Sequence, residues 1–173
     1  MIYLDNAATT KPKFFAKDYS QYWFNSNTNY AMTEQMMLDG ARETIKDCLG
    51  VKTGKVLFCR CATEAVDGLV KKFCKYGDSI YSYCSPYEHD SVYSIVGCTN
   101  IESKNLDEQY LTNDNIYLHQ YANQLTGQIF DIADIGKKIQ ATGAYFGSDF
   151  TASIGHAPIP KNLDSFCDAL KVE

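Results

Sequence analysis

Two spacings of apolar residues alternate along most of the chain. Short continuous apolar runs predict buried strands. These runs lie at residues 55–59, 79–84, 115–122 and 144–149. Between them, apolar residues recur every three or four positions and predict helices over residues 62–77, around 89–96 and over 132–140. Strands that alternate with helices favour βαβ units, so the predicted fold class is α/β with a mostly parallel sheet.

The N-terminal part of the chain has a different pattern. Residues 33–49 have the spacing of one long helix. Its predicted apolar face contains Met36, Met37, Ala41, Ile45 and Cys48. Element assignments are weak near residues 100–114. Because no repeat, low-complexity tract or flexible linker divides the chain, we expect residues 1–173 to form a single domain.

Composition narrows the functional classes. The chain has 173 residues, of which 45% are hydrophobic, and this length suits one compact domain. Its formal net charge is -5, and no nucleic-acid partner is expected because phosphate binding depends on clustered Lys and Arg. The basic pairs at 71–72 and 137–138 fall in predicted helices, where we expect solvated faces. No apolar run has the length of a bilayer crossing, so no membrane partner is expected.

The seven cysteines are an odd number, and no secretory leader is recognised. We therefore expect a cytoplasmic location and small, buried, inert thiols. Cys59 and Cys61 are separated by one residue, but no second Cys or His pair stands at the spacing of a zinc site. The three histidines lie far apart in the sequence, so no metal site is expected.

Polar residues follow the ends of the predicted strands, where ligands bind in an open parallel sheet. Thr63 follows the first strand at a helix start, where free N–H groups suit a phosphate, or it is only the N-cap. His89 follows the second strand, where it can stack on a flat ligand or transfer protons, or it is a cap or surface residue. Asn123 follows the third strand. Asp149 ends the fourth, where its carboxylate can pair with a cationic ring nitrogen or simply belong to a loop.

Five sequence blocks resemble those of one enzyme family. The blocks are YLDNAATTKP (3–12), FCRCATEA (58–65), EHDSV (88–92), ANQLTGQIFDI (122–132) and YFGSDFTASIGHAPI (145–159). In order and register they are similar to the cysteine desulfurases and their relatives in the class V aminotransferase family, enzymes that use pyridoxal 5'-phosphate (PLP). The N-terminal block is highly specific to that family.

The resemblance implies a fold and a domain organisation. It implies a three-layer α/β structure with a mostly parallel sheet, like the large domain of aspartate aminotransferase-like PLP transferases, in truncated form. Residues 1–50 would supply an N-terminal strap and helix, and residues 51–173 a partial PLP-binding domain. Because family members are considerably longer, the small C-terminal domain and the mobile loop with the persulfide-forming cysteine are expected to be absent.

The resemblance also implies a cofactor site at the strand ends. Ala62 and Thr63, with their neighbouring backbone N–H groups, would hold the PLP phosphate. His89 would stack on the pyridine ring, and Asn123 would approach the ring's phenolic oxygen. Asp149 would pair with the protonated ring nitrogen and keep the ring an electron sink.

Further implied site residues lie near the two ends of the chain. Lys171, in the stretch SFCDALK, stands at the position of the lysine that holds PLP covalently, or it is an ordinary C-terminal lysine. Lys171 and His89 are the expected catalytic residues. Asn6, Ala7 and Ala8 are expected to contact the substrate, or they belong to an ordered N-terminal strap.

Several positions depart from the family pattern and leave two functions open. The departures include Arg60 and Cys61 in the phosphate loop, Leu125 for a glutamate, Gly147 for a histidine and Ala152 for a glutamine. The first function is a PLP-dependent enzyme, or part of one, that acts on cysteine or a related small amino acid. The second is a truncated, inactive relative that serves as an interaction protein or as one half of a split enzyme. The expected macromolecular partner is a second copy in a homodimer or a complementary C-terminal polypeptide.

Overall fold

The computed structural model of the chain describes residues 30–73, 82–96, 99–100, 115–154 and 157–158. These residues fall into two compact units, with the boundary between Phe58 and Cys59. None of the helices within the described ranges combines the length and the apolar character that a bilayer crossing needs.

The first unit contains one helix, α1 (Tyr30–Leu49), which confirms the helix predicted from residue 33. Ion pairs of the i,i+3 type, such as Arg42–Asp39 at 2.7 Å, lie along its surface. The predicted apolar face is not covered within this unit, since Met36 is 71% exposed and Met37 is 43% exposed. Helical spacing was therefore sufficient to predict the helix but not the burial of its face.

The segment that follows α1 does not form the buried strand predicted at 55–59. Residues 55–59 have no strand partner among the described residues, and Leu57 is 81% exposed. The Val56 carbonyl accepts a hydrogen bond from Arg42 Nε at 3.2 Å, and the Arg42 guanidinium lies 5.3 Å from the centre of the Phe58 ring. The strand prediction is wrong because an apolar run becomes a strand only where a neighbouring strand can pair with its backbone groups.

The second unit is built on a four-stranded sheet in which every pairing is parallel. The strands are β1 (Ser82–Cys84), β2 (Thr99–Asn100), β3 (Ile116–Gln120) and β4 (Tyr145–Asp149), in the order β2-β1-β3-β4. Strands β1, β3 and β4 confirm three of the predicted strands, although residues 79–81 of the first lie outside the described residues. Strand β2 was not predicted.

The helices of the second unit cover both faces of this sheet. They are α2 (Ala62–Phe73), α3 (Asp90–Val96) and α4 (Ile132–Ala141), and each confirms a predicted helix. Alternate residues of β3 point to opposite faces. Ile116 and Leu118 pack with side chains of α2 and α3, whereas Tyr117 packs with side chains of α4. The structure is therefore a helix–sheet–helix arrangement, which confirms the predicted α/β class with a parallel sheet.

Helix α4 has defined signals at both ends. At its start, Asp131 is the N-cap, and its side chain accepts a hydrogen bond from Asp134 N at 3.1 Å. At its end, Gly143 has a φ of 83°, a left-handed conformation that glycine adopts without steric cost. The predicted stop at Gly143 is confirmed.

The predicted burial of the cysteines is wrong for three of the four described ones. Cys84 is buried in β1, but Cys48, Cys59 and Cys61 are exposed. Cys48 lies on an uncovered side of α1, and the other two lie in the loop before α2, where no core forms around them. The remaining three cysteines lie outside the described residues.

Candidate functional site

The carboxyl ends of the parallel strands meet at one edge of the sheet. In β1, Cys84 pairs with Leu118 of β3, and at the end of β3 Gln120 pairs with Asp149 of β4. Strand β3 therefore extends two residues beyond the end of β1. The loop 85–89 then leads from β1 into α3, and it lies beside the end of β3.

Hydrogen bonds tie these strand ends together. The Ser85 N–H donates to the Leu118 carbonyl at 3.0 Å, and the side chains of Gln120 and Asn123 both donate to the Tyr87 carbonyl. On the other side of β3, the Tyr121 N–H donates to the Asp149 carbonyl at 2.9 Å. The loop that carries His89, the loop that carries Asn123 and the end of β4 are thus brought to the same edge, as the sequence predicted.

His89 caps α3 and keeps its ring exposed. Its Nδ1 accepts a hydrogen bond from the Ser91 N–H at 3.1 Å and lies 2.8 Å from Ser91 Oγ. The ring proton of the neutral side chain therefore belongs on Nε2. The helix-cap role left open by the sequence is confirmed, and the capping contact fixes a ring that is exposed to a ligand.

Asn123 is buried and organises the loop that follows β3. Its Oδ1 accepts hydrogen bonds from the N–H groups of Leu125 and Thr126, both at 2.9 Å. Its Nδ2 donates to Tyr87 O at 3.2 Å, and its second amide hydrogen has no acceptor among the described residues. Leu125, at a position where the family has a glutamate, is 87% exposed.

Asp149 is half-buried and anchored through one oxygen. Oδ1 accepts hydrogen bonds from the Thr151 N–H at 2.8 Å and from Thr151 Oγ1 at 2.5 Å. Oδ2 accepts no hydrogen bond from the described residues. The carboxylate is therefore held in one orientation with its second oxygen open to a cationic group.

The N-terminus of α2 contradicts one of the two sequence interpretations of Thr63. Helix α2 begins at Ala62, and the Ala65 N–H donates to the Cys61 carbonyl at 3.2 Å. Cys61 therefore precedes the helix at the cap position, and the interpretation of Thr63 as the N-cap is wrong. Thr63 lies in the first turn with an exposed side chain, beside N–H groups that have no acceptor within the helix.

Arg60, in the same loop, is held by Glu64. Glu64 Oε2 accepts hydrogen bonds from the Arg60 backbone N–H at 2.8 Å and from Arg60 Nε at 3.2 Å. These contacts hold the pKa of Glu64 below its ordinary value, and the hydrogen bond to Glu64 raises the pKa of Arg60. Because the Arg60 side chain is 90% exposed, this ion pair is a weak surface contact.

Glu88 is a residue of this edge that the sequence did not single out. Its Oε1 accepts hydrogen bonds from Ser85 Oγ at 2.5 Å and from the Gln120 N–H at 2.6 Å. The side chain is buried, and Oε2 has no hydrogen-bond partner among the described residues. Burial raises the pKa of Glu88 to about 7, and the charge of Asp149 acts in the same direction. The one available signal was its place beside His89 in EHDSV.

His119 is a second buried polar residue near the edge. Its Nδ1 lies 2.7 Å from the Gln120 carbonyl oxygen. Its ring packs edge-on against Phe130, with 4.6 Å between the ring centroids. Burial lowers the pKa of His119, so the neutral ring is favoured. Its place in a core between aromatic rings gives it a packing role. Within the described ranges, no three His, Cys, Asp or Glu side chains are placed to hold a metal ion.

Comparison with known proteins identifies the family. Residues 2–166 match the family model described as "Aminotransferase class-V". The chain belongs to the class V aminotransferase family. It is 24% identical over 185 residues to a cysteine desulfurase of a Nostoc species, an alignment that covers 92% of the chain and 46% of the relative. It is 29% identical over 195 residues to the cysteine desulfurase IscS of Buchnera aphidicola, an alignment that covers 94% of the chain and 47% of that relative.

Solved structures of the class V fold resemble the chain as well. A NifS-like protein superposes with a TM-score of 0.71 at 19% identity, over 84% of this chain and 46% of that one. At this identity, the likeness shows the fold. The chain spans about half the length of the curated class V relatives it matches.

The class V family uses PLP, and the described residues fit that cofactor. Asp149 offers an open carboxylate oxygen, His89 an exposed ring, Asn123 a remaining amide hydrogen and Thr63 an exposed hydroxyl. Lys171, Asn6, Ala7 and Ala8 lie outside the described residues. Their roles stay predictions.

Proposed function

We propose that this chain is a PLP-binding protein of the cysteine desulfurase type that acts on cysteine or a related small amino acid. The observation that carries the proposal is the convergence of His89, Asn123 and Asp149 on one sheet edge, with their loops joined by hydrogen bonds. This edge is where open parallel sheets bind their ligands. Family membership supports PLP as the cofactor.

Each described residue has a defined task in this proposal. The first-turn N–H groups of α2, at Ala62 and Thr63, and the Thr63 hydroxyl bind the phosphate, because a helix N-terminus attracts anions. His89 stacks on the pyridine ring, and Asn123 Nδ2 donates to the ring oxygen. Asp149 Oδ2 would accept a hydrogen bond from the protonated ring nitrogen, and its negative charge would favour keeping the proton on that nitrogen. When bound, PLP supplies the electron sink for chemistry at the amino acid's α-carbon.

The remaining parts of the proposal concern residues outside the described ranges and the assembly. Lys171 bonds covalently to the cofactor, and Asn6, Ala7 and Ala8 contact the substrate. The chain is organised as a strap and helix over residues 1–50 and a partial PLP-binding domain over residues 51–173. A homodimer or a complementary C-terminal polypeptide completes the site, and the protein works in the cytoplasm.

The direct test is the absorbance spectrum of the full chain titrated with PLP. An absorbance band of protein-bound PLP is expected in addition to the bands of free PLP. Borohydride reduction should then attach the cofactor permanently to Lys171. Asp149→Asn should weaken binding, since an amide cannot balance the cationic ring nitrogen, whereas Asp134→Asn, an exposed carboxyl on α4, should not. An unchanged spectrum, or a label that persists in Lys171→Ala, would contradict the cofactor site.

A specific observation favours the interaction-protein alternative. Arg60, a departure from the family pattern, lies in the loop where the phosphate would bind and pairs there with Glu64. If the spectrum does not change, the class V scaffold without cofactor chemistry becomes the better description. For the chain by itself, we expect little sulfide release from cysteine with a reductant, and robust turnover would refute the proposal that the site needs a further polypeptide.

A further inference from the structure

Glu88 bridges the loop after β1 to the main chain of β3. In a regular parallel ladder, the next rung after Ser85 N–Leu118 O joins the Gln120 N–H to the Ser85 carbonyl. Here the Ser85 carbonyl accepts from Tyr93 Oη at 3.3 Å instead. The Gln120 N–H donates to Glu88 Oε1 at 2.6 Å. The carboxyl of Glu88 therefore takes the place of a missing backbone acceptor.

The same carboxyl fixes the conformation of its own loop. Glu88 Oε1 also accepts from Ser85 Oγ at 2.5 Å, three residues earlier. The Tyr87 carbonyl, between these two positions, accepts from the side chains of Gln120 and Asn123. The loop is thus attached to the end of β3 through the Glu88 side chain and through the Tyr87 backbone carbonyl. His89 is the next residue along the chain.

We propose that Glu88 is a positioning residue, whose carboxyl replaces a rung of the β1–β3 ladder and holds the His89-bearing loop in register with the end of β3. Its benefit to cofactor binding rests on the proposed function. Its structural action does not, because Ser85 and Gln120 belong to this chain. His89 would stack correctly only if the loop before it kept this register.

The protonation state of Glu88 affects how it holds the loop. Within the part of the chain that the structure describes, Glu88 Oε2 is buried with no hydrogen-bond partner, and a buried ionised carboxylate needs partners for both oxygens. Asp149 on β4 acts on Glu88 through its charge, and Glu88 in turn contributes to the raised pKa of Tyr117 on β3. A cation that pairs with Asp149 would cancel the first influence. Glu88 would then lose its proton more readily when the site is filled.

The Gln120 amide proton reports on Glu88 directly. We would record ¹H–¹⁵N spectra of the full, ligand-free chain across a pH series, using the Gln120 backbone N–H, which donates to Glu88 Oε1, as the probe. In the wild-type protein, its shift should titrate with a midpoint near neutral pH, because the pKa of Glu88 is raised to about 7. In Glu88→Gln, the titration should vanish. In Asp149→Asn, the midpoint should fall, and in Asp134→Asn it should not move.

Hydrogen exchange separates positioning from simple packing. In Glu88→Ala, exchange at the Gln120 N–H should quicken by about tenfold, the effect of one lost hydrogen bond. Glu88→Gln keeps an acceptor oxygen and should restore wild-type protection. If Glu88→Ala does not fold, the Glu88→Gln titration still decides the proposal. A Gln120 shift that does not titrate, or that titrates equally in Glu88→Gln, would overturn it.

The two proposals fail separately. PLP absorbance tests the cofactor site, whereas the Gln120 titration needs no ligand. If Gln120 titrates as expected and PLP does not bind, the positioning role stands and the proposed function falls. If PLP binds equally well to the wild-type protein and to a folded Glu88→Ala, positioning of His89 by Glu88 is refuted while the cofactor site remains.

Discussion

Two apolar runs that look alike in the sequence have opposite environments in the structure. The run at 55–59, KVLFC, contains three consecutive large apolar residues, yet Leu57 is 81% exposed and Phe58 is 48% exposed. Strand β3, IYLHQ, includes a histidine and a glutamine, yet all five of its residues are buried. The more polar run is the one that forms the centre of the sheet.

The difference comes from backbone pairing. Strand β3 lies between β1 and β4, so its N–H and C=O groups find partners on both sides. Its polar side chains also contact backbone carbonyls, since His119 Nδ1 lies 2.7 Å from the Gln120 carbonyl and Gln120 donates to Tyr87 O. Only His119 Nε2 in this strand is buried without a partner among the described residues. No strand in the described residues pairs with 55–59. Partners for the backbone, more than apolar content, separate the two runs.

The largest expected effect tests this comparison directly. Ile116→Ala in β3 should lower the free energy of unfolding by about 2–5 kcal/mol, because it removes apolar volume from a side chain that is 1% exposed. Leu57→Ala should change it by less than about 0.5 kcal/mol. Urea unfolding followed by circular dichroism measures both. Equal losses in the free energy of unfolding would show that the 55–59 run is covered in the folded protein.

The second largest effect concerns Glu88, whose carboxyl accepts the hydrogen bond from the Gln120 N–H of β3. The folded-state pKa of Glu88 is raised from 4.5 to about 7, so its stabilising contribution is fully present below pH 4.5 and is lost as pH rises through 7. This loss amounts to about 3 kcal/mol. Glu88→Gln cannot titrate, so the stability of the wild-type protein relative to this variant should fall by that amount across the same window.

Urea unfolding at a series of pH values measures this difference. Asp134→Asn is the control, because it removes an exposed carboxyl from α4 and should follow the wild-type curve. Other titrating groups, such as the buried His119, affect the wild-type protein and the Glu88→Gln variant alike and cancel in the difference. A constant difference from acid to neutral pH would show that Glu88 does not titrate in the folded protein.

The third effect tests how closely the sheet and α2 pack. A Cβ atom at Gly147 would lie 2.5 Å from Leu118 Cδ2 and 3.1 Å from Leu69 Cδ2. Gly147→Ala should therefore cost about 1–3 kcal/mol through overpacking. Gly68→Ala, where a Cβ meets open space in α2, should be neutral or stabilising. Thermal unfolding compares the two, and an equally tolerated pair would argue against tight packing at Gly147.

The smallest effect concerns the start of α4, which packs against β3 and β4. Asp131→Ala removes the acceptor for the Asp134 N–H and should cost about 1 kcal/mol. Asp131→Asn keeps an acceptor and should cost much less. Thermal unfolding of the two variants would show whether the cap contributes. An equal loss in both would assign the effect to charge instead of capping.

The sequence predicted most of the regular elements of the second unit. Helices α2, α3 and α4 and strands β1, β3 and β4 were predicted near their observed positions because their periodicity is local. Strand β2 was missed because two residues carry no periodicity and are defined only by pairing with β1. The exposed face of α1 was missed because spacing reveals an apolar stripe but not what covers it.

The candidate site was predicted to a similar extent. His89, Asn123 and Asp149 could be found because parallel strands end at a common edge. Glu88 could not be found in this way, because its partner Gln120 is 32 residues away and the interaction depends on how far β1 extends. Glycine at position 147, a departure from the family pattern, also has a reason that only the packing of Leu118 and Leu69 supplies.

The hydrogen bonds of Asn123 have a consequence for ligand recognition. Folding alone fixes its side chain, because Oδ1 is held by Leu125 and Thr126 and one Nδ2 hydrogen by Tyr87. A ligand that accepts a hydrogen bond from the second Nδ2 hydrogen would meet a donor whose side-chain rotamer is already fixed. The conformational entropy of that contact is lost when the chain folds, so binding to it would require little further ordering.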